Sequence, residues 1–308
     1  MGKIAFIFPG QGAQHMDMAK DFYDFCGESR KVFEEASQAA GFSIEEICFR
    51  DEGRLNQTQY TQPALFAASC AILKAVEEAG IRPDMTAGLS LGEYCALMAA
   101  DVLDFSDAVK VVCSRGKYME EEVPQNRGSM AAVLSRKELP LEEICGQVKG
   151  TVVVANYNCP GQRVISGERE AVEEAAERML EAGASRVVPL NVSGPFHSPM
   201  LKGAGEKLYN RLEQVPIAEP SIPFVSNVTA QEEREPEQIR DLLGMQVCSP
   251  VHWQQSIEYM IENGADTFIE IGPGRTLSNL MKKIDRSVKV YNVETIADLE
   301  TVRKELRA

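Results

Sequence analysis

Apolar residues along the chain follow two alternating rhythms. The segment KIAFIFPGQG carries an unbroken apolar run from Ile4 to Phe8, closed by Pro9 and Gly10, which reads as a buried first strand. Helical patterns come next. The clearest is PALFAASCAILKAVEEAG, Pro63 to Gly80, whose apolar residues recur at three- and four-residue steps before a glycine stop. MTAGLS predicts a strand and LGEYCALMAADV a helix, and a further helix is expected from Ser106 to Glu122, ended by Pro124.

The pattern then changes. SMAAVL, TVVVANYN, QRVISGE and SRVVPLNV read as strands, with helices over Glu138 to Val148 and REAVEEAAERMLEAG, and a turn at Cys159-Pro160-Gly161. The order is βαββαβ, that of a ferredoxin-like unit. A small subdomain is therefore expected at 128–192, inserted into a large one formed by 1–127 and 193–308. In the second part of the large unit, a helix is expected over Ser198 to Val215, a strand at PFVSNV, and helices around 237–245 and 253–263. The strand DTFIEIG precedes PGRTLSNLMKKID, and KVYNVE precedes a last helix. Strands alternating with helices predict an α/β fold, a mostly parallel sheet covered on both faces. Sites in such sheets form beyond the carboxyl ends of strands. Gly10 to Gln14, Ser90 and Gly272 to Gly274 all fall there.

Composition narrows the function classes. The 308 residues are 44% hydrophobic and 25% charged, with a formal net charge of −14. An acidic surface argues against general binding of nucleic acid or anionic membranes. No apolar stretch approaches the roughly 20 residues that span a bilayer. The eight cysteines are scattered, without a C-x-x-C pair or a zinc-type cluster, and read as reduced thiols, mostly in the core, of a cytoplasmic protein.

The chemistry centres on Ser90, bracketed as Gly88-Leu89-Ser90-Leu91-Gly92 between a strand and a helix. Flanking glycines let the backbone turn tightly and present the hydroxyl at the rim of the sheet. The helix N-terminus behind it supplies free N–H groups, among them that of Leu91, placed to hold an oxyanion. A serine nucleophile needs a base. The chain has only His15, His197 and His252, and His197 in NVSGPFHSPM lies where a side chain can return to the sheet rim. His252 is expected to pack or cap locally, and His15 to lie at the surface or rim. FPGQGAQ lacks the spacing of a phosphate loop. It reads as a sharp loop carrying the N–H of Gln11 toward Ser90, or as a simple turn.

Together these segments resemble the malonyl-CoA:acyl carrier protein transacylases of fatty acid synthesis. FPGQGAQ, GLSLGEY, SRGKYM, NYNCPGQ, GPFHSPM, QVCSPVHW and IEIGPGRTL occur in family order over essentially the whole chain. The resemblance implies a hydrolase-like large subdomain and a ferredoxin-like small one. It implies Ser90 as nucleophile, His197 as base, and the N–H groups of Gln11 and Leu91 as the oxyanion hole. It assigns Arg115 to the malonyl carboxylate, Gln246 to orienting His197 through its backbone carbonyl, and Asn158 to substrate contact from the small subdomain.

Leu89 departs from the family, which usually has histidine before the nucleophile, and bears on pocket shape. Phe196 before His197 matches the malonyl-type pattern. The implied reaction is ping-pong transfer from malonyl-CoA to the phosphopantetheine thiol of an acyl carrier protein, with no bound cofactor and no metal, in a monomer. Arg275, Lys282, Lys283 and Arg286 are the candidate docking residues for the acidic carrier. The rival readings are a serine thioesterase, an acyltransferase with another extender or serving a polyketide synthase, and a silent docking module.

Overall fold

The computed structural model describes residues 2–124, 126–192 and 194–306. In chain order, β1 (Lys3–Phe8) is followed by α1 (Lys20–Phe25), α2 (Gly27–Ala40), α3 (Ile44–Arg50), α4 (Glu52–Leu55) and α5 (Thr58–Glu78). Then β2 (Met85–Gly88) leads into α6 (Gly92–Ala99) and α7 (Phe105–Glu122). The middle of the chain forms β3 (Gly128–Leu134), α8 (Leu141–Gly146), β4 (Val152–Cys159), β5 (Gln162–Glu168), α9 (Arg169–Glu181) and β6 (Arg186–Pro189). After a 3-10 turn at Pro199–Leu201 come α10 (Lys202–Leu212), β7 (Phe224–Val225), β8 (Glu232–Glu233), α11 (Pro236–Gln246) and α12 (Trp253–Glu262). The chain then runs through β9 (Ala265–Ile271), α13 (Thr276–Ile284), β10 (Lys289–Val293) and α14 (Ile296–Glu305).

The larger sheet has the order β10-β9-β1-β2-β7-β8, parallel except for β8. Its central strand β1 is apolar at consecutive positions because both faces are covered: Phe6 and Phe8 point into one core cluster, Ala5 and Ile7 into another. Phe8 lies opposite Gly88 in the β1–β2 ladder. The chain therefore leaves the sheet at Pro9-Gly10 and at Leu89-Ser90 side by side. A Cβ on Gly10 would stand 2.3 Å from the Leu89 carbonyl oxygen.

The smaller sheet is antiparallel, in the order β4-β5-β3-β6, with two helices of its own. This is the expected ferredoxin-like arrangement. Its strands alternate as a two-sided sheet must: Ala131, Val133, Val154 and Ile165 join the cluster under α8 and α9, whereas Met130, Ala155 and Val164 join the main core. A parallel bridge from Asn156 to Val251, with hydrogen bonds Tyr157 N to Val251 O (2.9 Å) and Val251 N to Ala155 O (2.8 Å), ties β4 to the segment after α11.

Several expected boundaries move. Helix α5 starts at Thr58, five residues before the expected Pro63. Its first turns are buried through polar residues, Thr58, Thr61 and Gln62, which hid the apolar period. The expected strand PFVSNV shortens to Phe224–Val225, because the Ser226 N–H turns to the Gln231 carbonyl (3.0 Å) and the Asn227 N–H to the Glu93 carboxyl group (2.8 Å). The last small-subdomain strand ends at Pro189, three residues before 192. Helix α8 keeps only Leu141–Gly146 of the expected Glu138 to Val148. Ser193, where the return to the large subdomain was expected, and Arg307 and Ala308 lie outside the described residues. Among the described residues no helix is long and apolar enough to cross a membrane.

Candidate active site

Ser90 occupies the turn between β2 and α6 with φ of 55°, in the left-handed region. A side chain there costs of order 1–3 kcal/mol, so the surroundings must hold it. The flanking glycines are required by contact. A Cβ on Gly88 would come within 2.0 Å of the Gly92 backbone, and one on Gly92 within 2.2 Å of the Phe8 carbonyl oxygen. The Ser90 N–H donates to Asn227 Oδ1 (2.7 Å), and Asn227 Nδ2 donates back to the Gly88 carbonyl (2.6 Å). Ser90 O accepts from the Glu93 N–H (3.1 Å) and from Gln246 Nε2 (3.0 Å).

His197 lies 107 residues away in sequence, yet its Nε2 is 2.8 Å from Ser90 Oγ. Its Nδ1 is 2.8 Å from the Gln246 carbonyl oxygen. A carbonyl only accepts, so Nδ1 carries the proton and Nε2 presents its lone pair to the serine hydroxyl. Burial, reinforced by the nearby Arg115 guanidinium, pushes the imidazole down from 6.5 to about 4. The histidine is therefore neutral, and able to take a proton, at ordinary pH. His197 is itself at a φ of 57°, and its N–H is anchored on the Val247 carbonyl (3.1 Å).

Arg115 comes from α7 and is 1% exposed. Its Nη1 donates to Gln62 Oε1 (2.8 Å), and its Nη2 to Gln246 Oε1 (2.8 Å) and Ser90 Oγ (3.1 Å). Its guanidinium carbon stands 5.7 Å from the centre of the Tyr94 ring. Hydrogen bonds and an aromatic face offset part of the several kcal/mol that burying a cation costs. Ser90 Oγ thus accepts from a cation while donating to a neutral base, which favours negative charge on the oxygen.

Gln11 is half-buried on the loop after β1. Its Nε2 donates to Thr58 Oγ1 (3.0 Å), and its Oε1 accepts from Gln62 Nε2 (3.4 Å). Leu91 caps α6, whose first N–H groups, those of Gly92, Glu93 and Tyr94, donate to the carbonyls of Leu89, Ser90 and Leu91 (3.0, 3.1 and 3.0 Å).

The other expected residues spread further. Asn158 sits on β4 beyond the Asn156 bridge, with its side-chain oxygen buried and unpartnered. His252 stacks on Tyr157, ring centres 5.0 Å apart, and makes no cap to α12 through its side chain. His15 is exposed and meets Glu294 at 2.7 Å. Arg275, Lys282, Lys283 and Arg286 are exposed around α13, and Arg275 pairs with Asp298 at 3.4 Å. Five of the eight cysteines are buried, and all are free. Among the described residues no group of three or more His, Cys, Asp and Glu could hold a metal ion.

Sequence reasoning missed Gln62, Glu93 and Asn227. Each carried a signal. Glu93 is a lone charge within the apolar stretch LGEYCALM, Asn227 is polar at the carboxyl end of an expected strand, and Gln62 directly precedes an apolar helix.

The acyl transferase domain model matches residues 5–308. The malonyl CoA-acyl carrier protein transacylase of Bacillus subtilis is 44% identical over 306 residues, 98% of this chain and 96% of the relative. A crystal structure of malonyl CoA-acyl carrier protein transacylase from Clostridium perfringens superposes with a TM-score of 0.95 at 45% identity, covering 99% of this chain and 97% of the other. A malonyl-transacylase in complex with a type II polyketide synthase acyl carrier protein superposes at 0.96 with 39% identity, covering 98% of this chain and 99% of the other. Likeness of this depth over nearly the whole length, in sequence and in fold, means that the chain belongs to the acyl transferase family, among the malonyl CoA-acyl carrier protein transacylases.

Proposed function

We propose that this enzyme transfers the malonyl group of malonyl-CoA to the phosphopantetheine thiol of an acyl carrier protein, supplying fatty acid elongation. The observation that carries the reading is the convergence on one oxygen: Ser90 Oγ lies 2.8 Å from His197 Nε2 and 3.1 Å from Arg115 Nη2. A nucleophile that shares its site with a buried guanidinium suits an acyl group bearing its own carboxylate. Arginine grips a carboxylate with two parallel hydrogen bonds, which lysine cannot do.

In the first half-reaction Ser90 Oγ attacks the thioester carbon as His197 Nε2 takes the hydroxyl proton. The tetrahedral oxyanion rests on the N–H groups of Gln11 and Leu91. The C–S bond then breaks, and His197 returns the proton to the coenzyme A sulfur. In the second half the carrier thiol gives its proton to His197 and attacks the malonyl-serine ester, and Ser90 leaves reprotonated. The Gln246 carbonyl holds the imidazole in the required tautomer throughout. Neither half calls on a metal or a bound cofactor.

Asn158 contributes to substrate contact from the small subdomain, taken as 128–192 between the large-subdomain segments 1–127 and 193–308. Lys282, Lys283 and Arg286, with Arg275 less available, receive the acidic carrier. One chain supplies the whole site, which suits a monomer, and the free thiols suit the cytoplasm.

The polyketide-bound neighbour favours a second reading, in which the carrier served belongs to a polyketide synthase. Intact mass after brief exposure to malonyl-CoA, and again after adding reduced holo carrier protein, tests the proposal. A malonyl adduct on Ser90 that moves to the carrier is expected. An adduct that decays to free malonate makes this a thioesterase, and no adduct rules out the covalent mechanism. Competing fatty acid and polyketide carriers then separates the two readings.

A further inference from the structure

One buried ionisable group has no part in that chemistry. Glu93, in the first turn of α6, is 1% exposed. Its Oε1 accepts from the Asn227 N–H (2.8 Å), and its Oε2 accepts from the Gln246 side-chain amide. The hydrogen bonds of Arg115 go to the neutral groups Gln62, Gln246 and Ser90. Carboxylate and guanidinium are thus joined through the Gln246 amide.

That amide has two faces, and Glu93 decides which way they point. The NH2 of Gln246 meets two acceptors, Ser90 O (3.0 Å) and Glu93 Oε2, and its oxygen meets the Arg115 donor (2.8 Å). A flip would set NH2 against the guanidinium and oxygen against a carboxylate and a carbonyl. Burial raises the Glu93 carboxyl from 4.5 to about 7; in its ionised form it only accepts, and with Ser90 O on the same NH2 it locks the orientation that offers Arg115 an oxygen. On its other side Glu93 holds the backbone of Asn227, whose side chain spans Gly88 O and Ser90 N.

We propose that Glu93 is a positioning residue for acyl transfer: through Gln246 it orients Arg115 for the acyl carboxylate, and through Asn227 it holds the strained backbone of Ser90. The inference rests on the malonyl-transfer reading above. Keeping the counter-charge one amide away has a chemical consequence. A direct ion pair would hold the guanidinium fork on a carboxylate of the protein, whereas the spaced carboxylate leaves the fork on neutral partners that an acyl carboxylate can replace.

The test compares kcat and KM for malonyl-CoA and acetyl-CoA in the wild type, Glu93→Gln and Glu93→Asp, with melting temperatures alongside. The wild type is read first. If it shows no malonyl preference, the functional reading falls and this inference falls with it. Glu93→Gln keeps an acceptor for Asn227 but places NH2 where Gln246 needs an oxygen. The malonyl-over-acetyl ratio in kcat/KM is expected to fall by about tenfold or more, chiefly through KM for malonyl-CoA. Glu93→Asp, which keeps the charge, is expected to retain more of the ratio. A merely structural role lowers the melting temperature and slows both thioesters alike, so an unchanged ratio in folded Glu93→Gln overturns the proposal. Should Glu93→Gln fail to fold, Glu93→Asp decides: its shorter carboxylate cannot reach both partners, a reduced ratio is expected, and a wild-type ratio overturns the proposal.

Discussion

Three side chains share one buried volume at the rim of the larger sheet, and each alters the others. Arg115 is the second cause, after burial, of the depressed His197 value of about 4. With His197 as base, its limb in the kcat/KM profile should fall near pH 4 rather than 6.5, below any step near 7 from protonation of Glu93. Arg115→Ala removes a cation and admits water, and both changes raise the imidazole, so the acid limb should move upward. If Arg115 grips the acyl carboxylate, the same variant should lose roughly 2–5 kcal/mol of charge-assisted binding and its preference for malonyl over acetyl thioesters. A pH–rate profile of the variant with each thioester checks both statements. A malonyl preference that survives would remove Arg115 from substrate recognition. At this scale Ser90, Arg115 and His197 were legible because their residue types and motif contexts carry chemistry. Gln62, Glu93 and Asn227 were not, because an amide or a carboxylate in a sequence does not show that it is buried, or against what.

At the scale of elements, the site depends on how closely two loops leave the sheet. The β2–α6 turn and the end of β1 with its following loop are pressed together at contacts that admit no Cβ on Gly10 or Gly92, and the turn is closed on itself so that none fits on Gly88. Gly88→Ala and Gly92→Ala should each destabilise the fold by at least about 2 kcal/mol, since the obstructing atoms are backbone and cannot swing away. Denaturant unfolding measures this, and a variant with wild-type stability would mean that the turn has room to relax. Strands and helices with a clear apolar period were readable in advance, β1 and β5 almost to the residue. Elements failed where polar side chains were buried against partners. The first turns of α5 hide Gln62 under Arg115, and β7 ends early because Asn227 turns to Glu93 and Ser90.

For the molecule as a whole, the net charge of −14 repels an acidic carrier at long range, so docking falls to local cations. Lys282→Glu combined with Lys283→Glu should raise KM for the carrier protein while the rate of malonyl adduct formation from malonyl-CoA stays unchanged. Single-turnover acylation and steady-state transfer separate the two effects, and an unchanged carrier KM would move the docking surface elsewhere. Acid should also act on the whole fold. The folded His197 value lies below the ordinary 6.5, so the unfolded chain binds the proton first, and stability is lost as pH falls from about 6.5 toward 4. Relative to His197→Gln, the wild type should lose about 2 kcal/mol between pH 7 and 4.5, read from paired denaturation curves.

The sequence by itself determined the class of sheet, the inserted βαββαβ unit, and the candidate serine and histidine that the fold brings together, because periodicity and turn chemistry act locally and leave local marks. Tertiary structure decided the rest. Which neutral groups hold Arg115, which carboxylate holds Gln246, and how Asn227 reaches Ser90 across 137 residues all depend on burial. A desolvated polar atom must find a partner, and only the folded chain shows which partner is within reach.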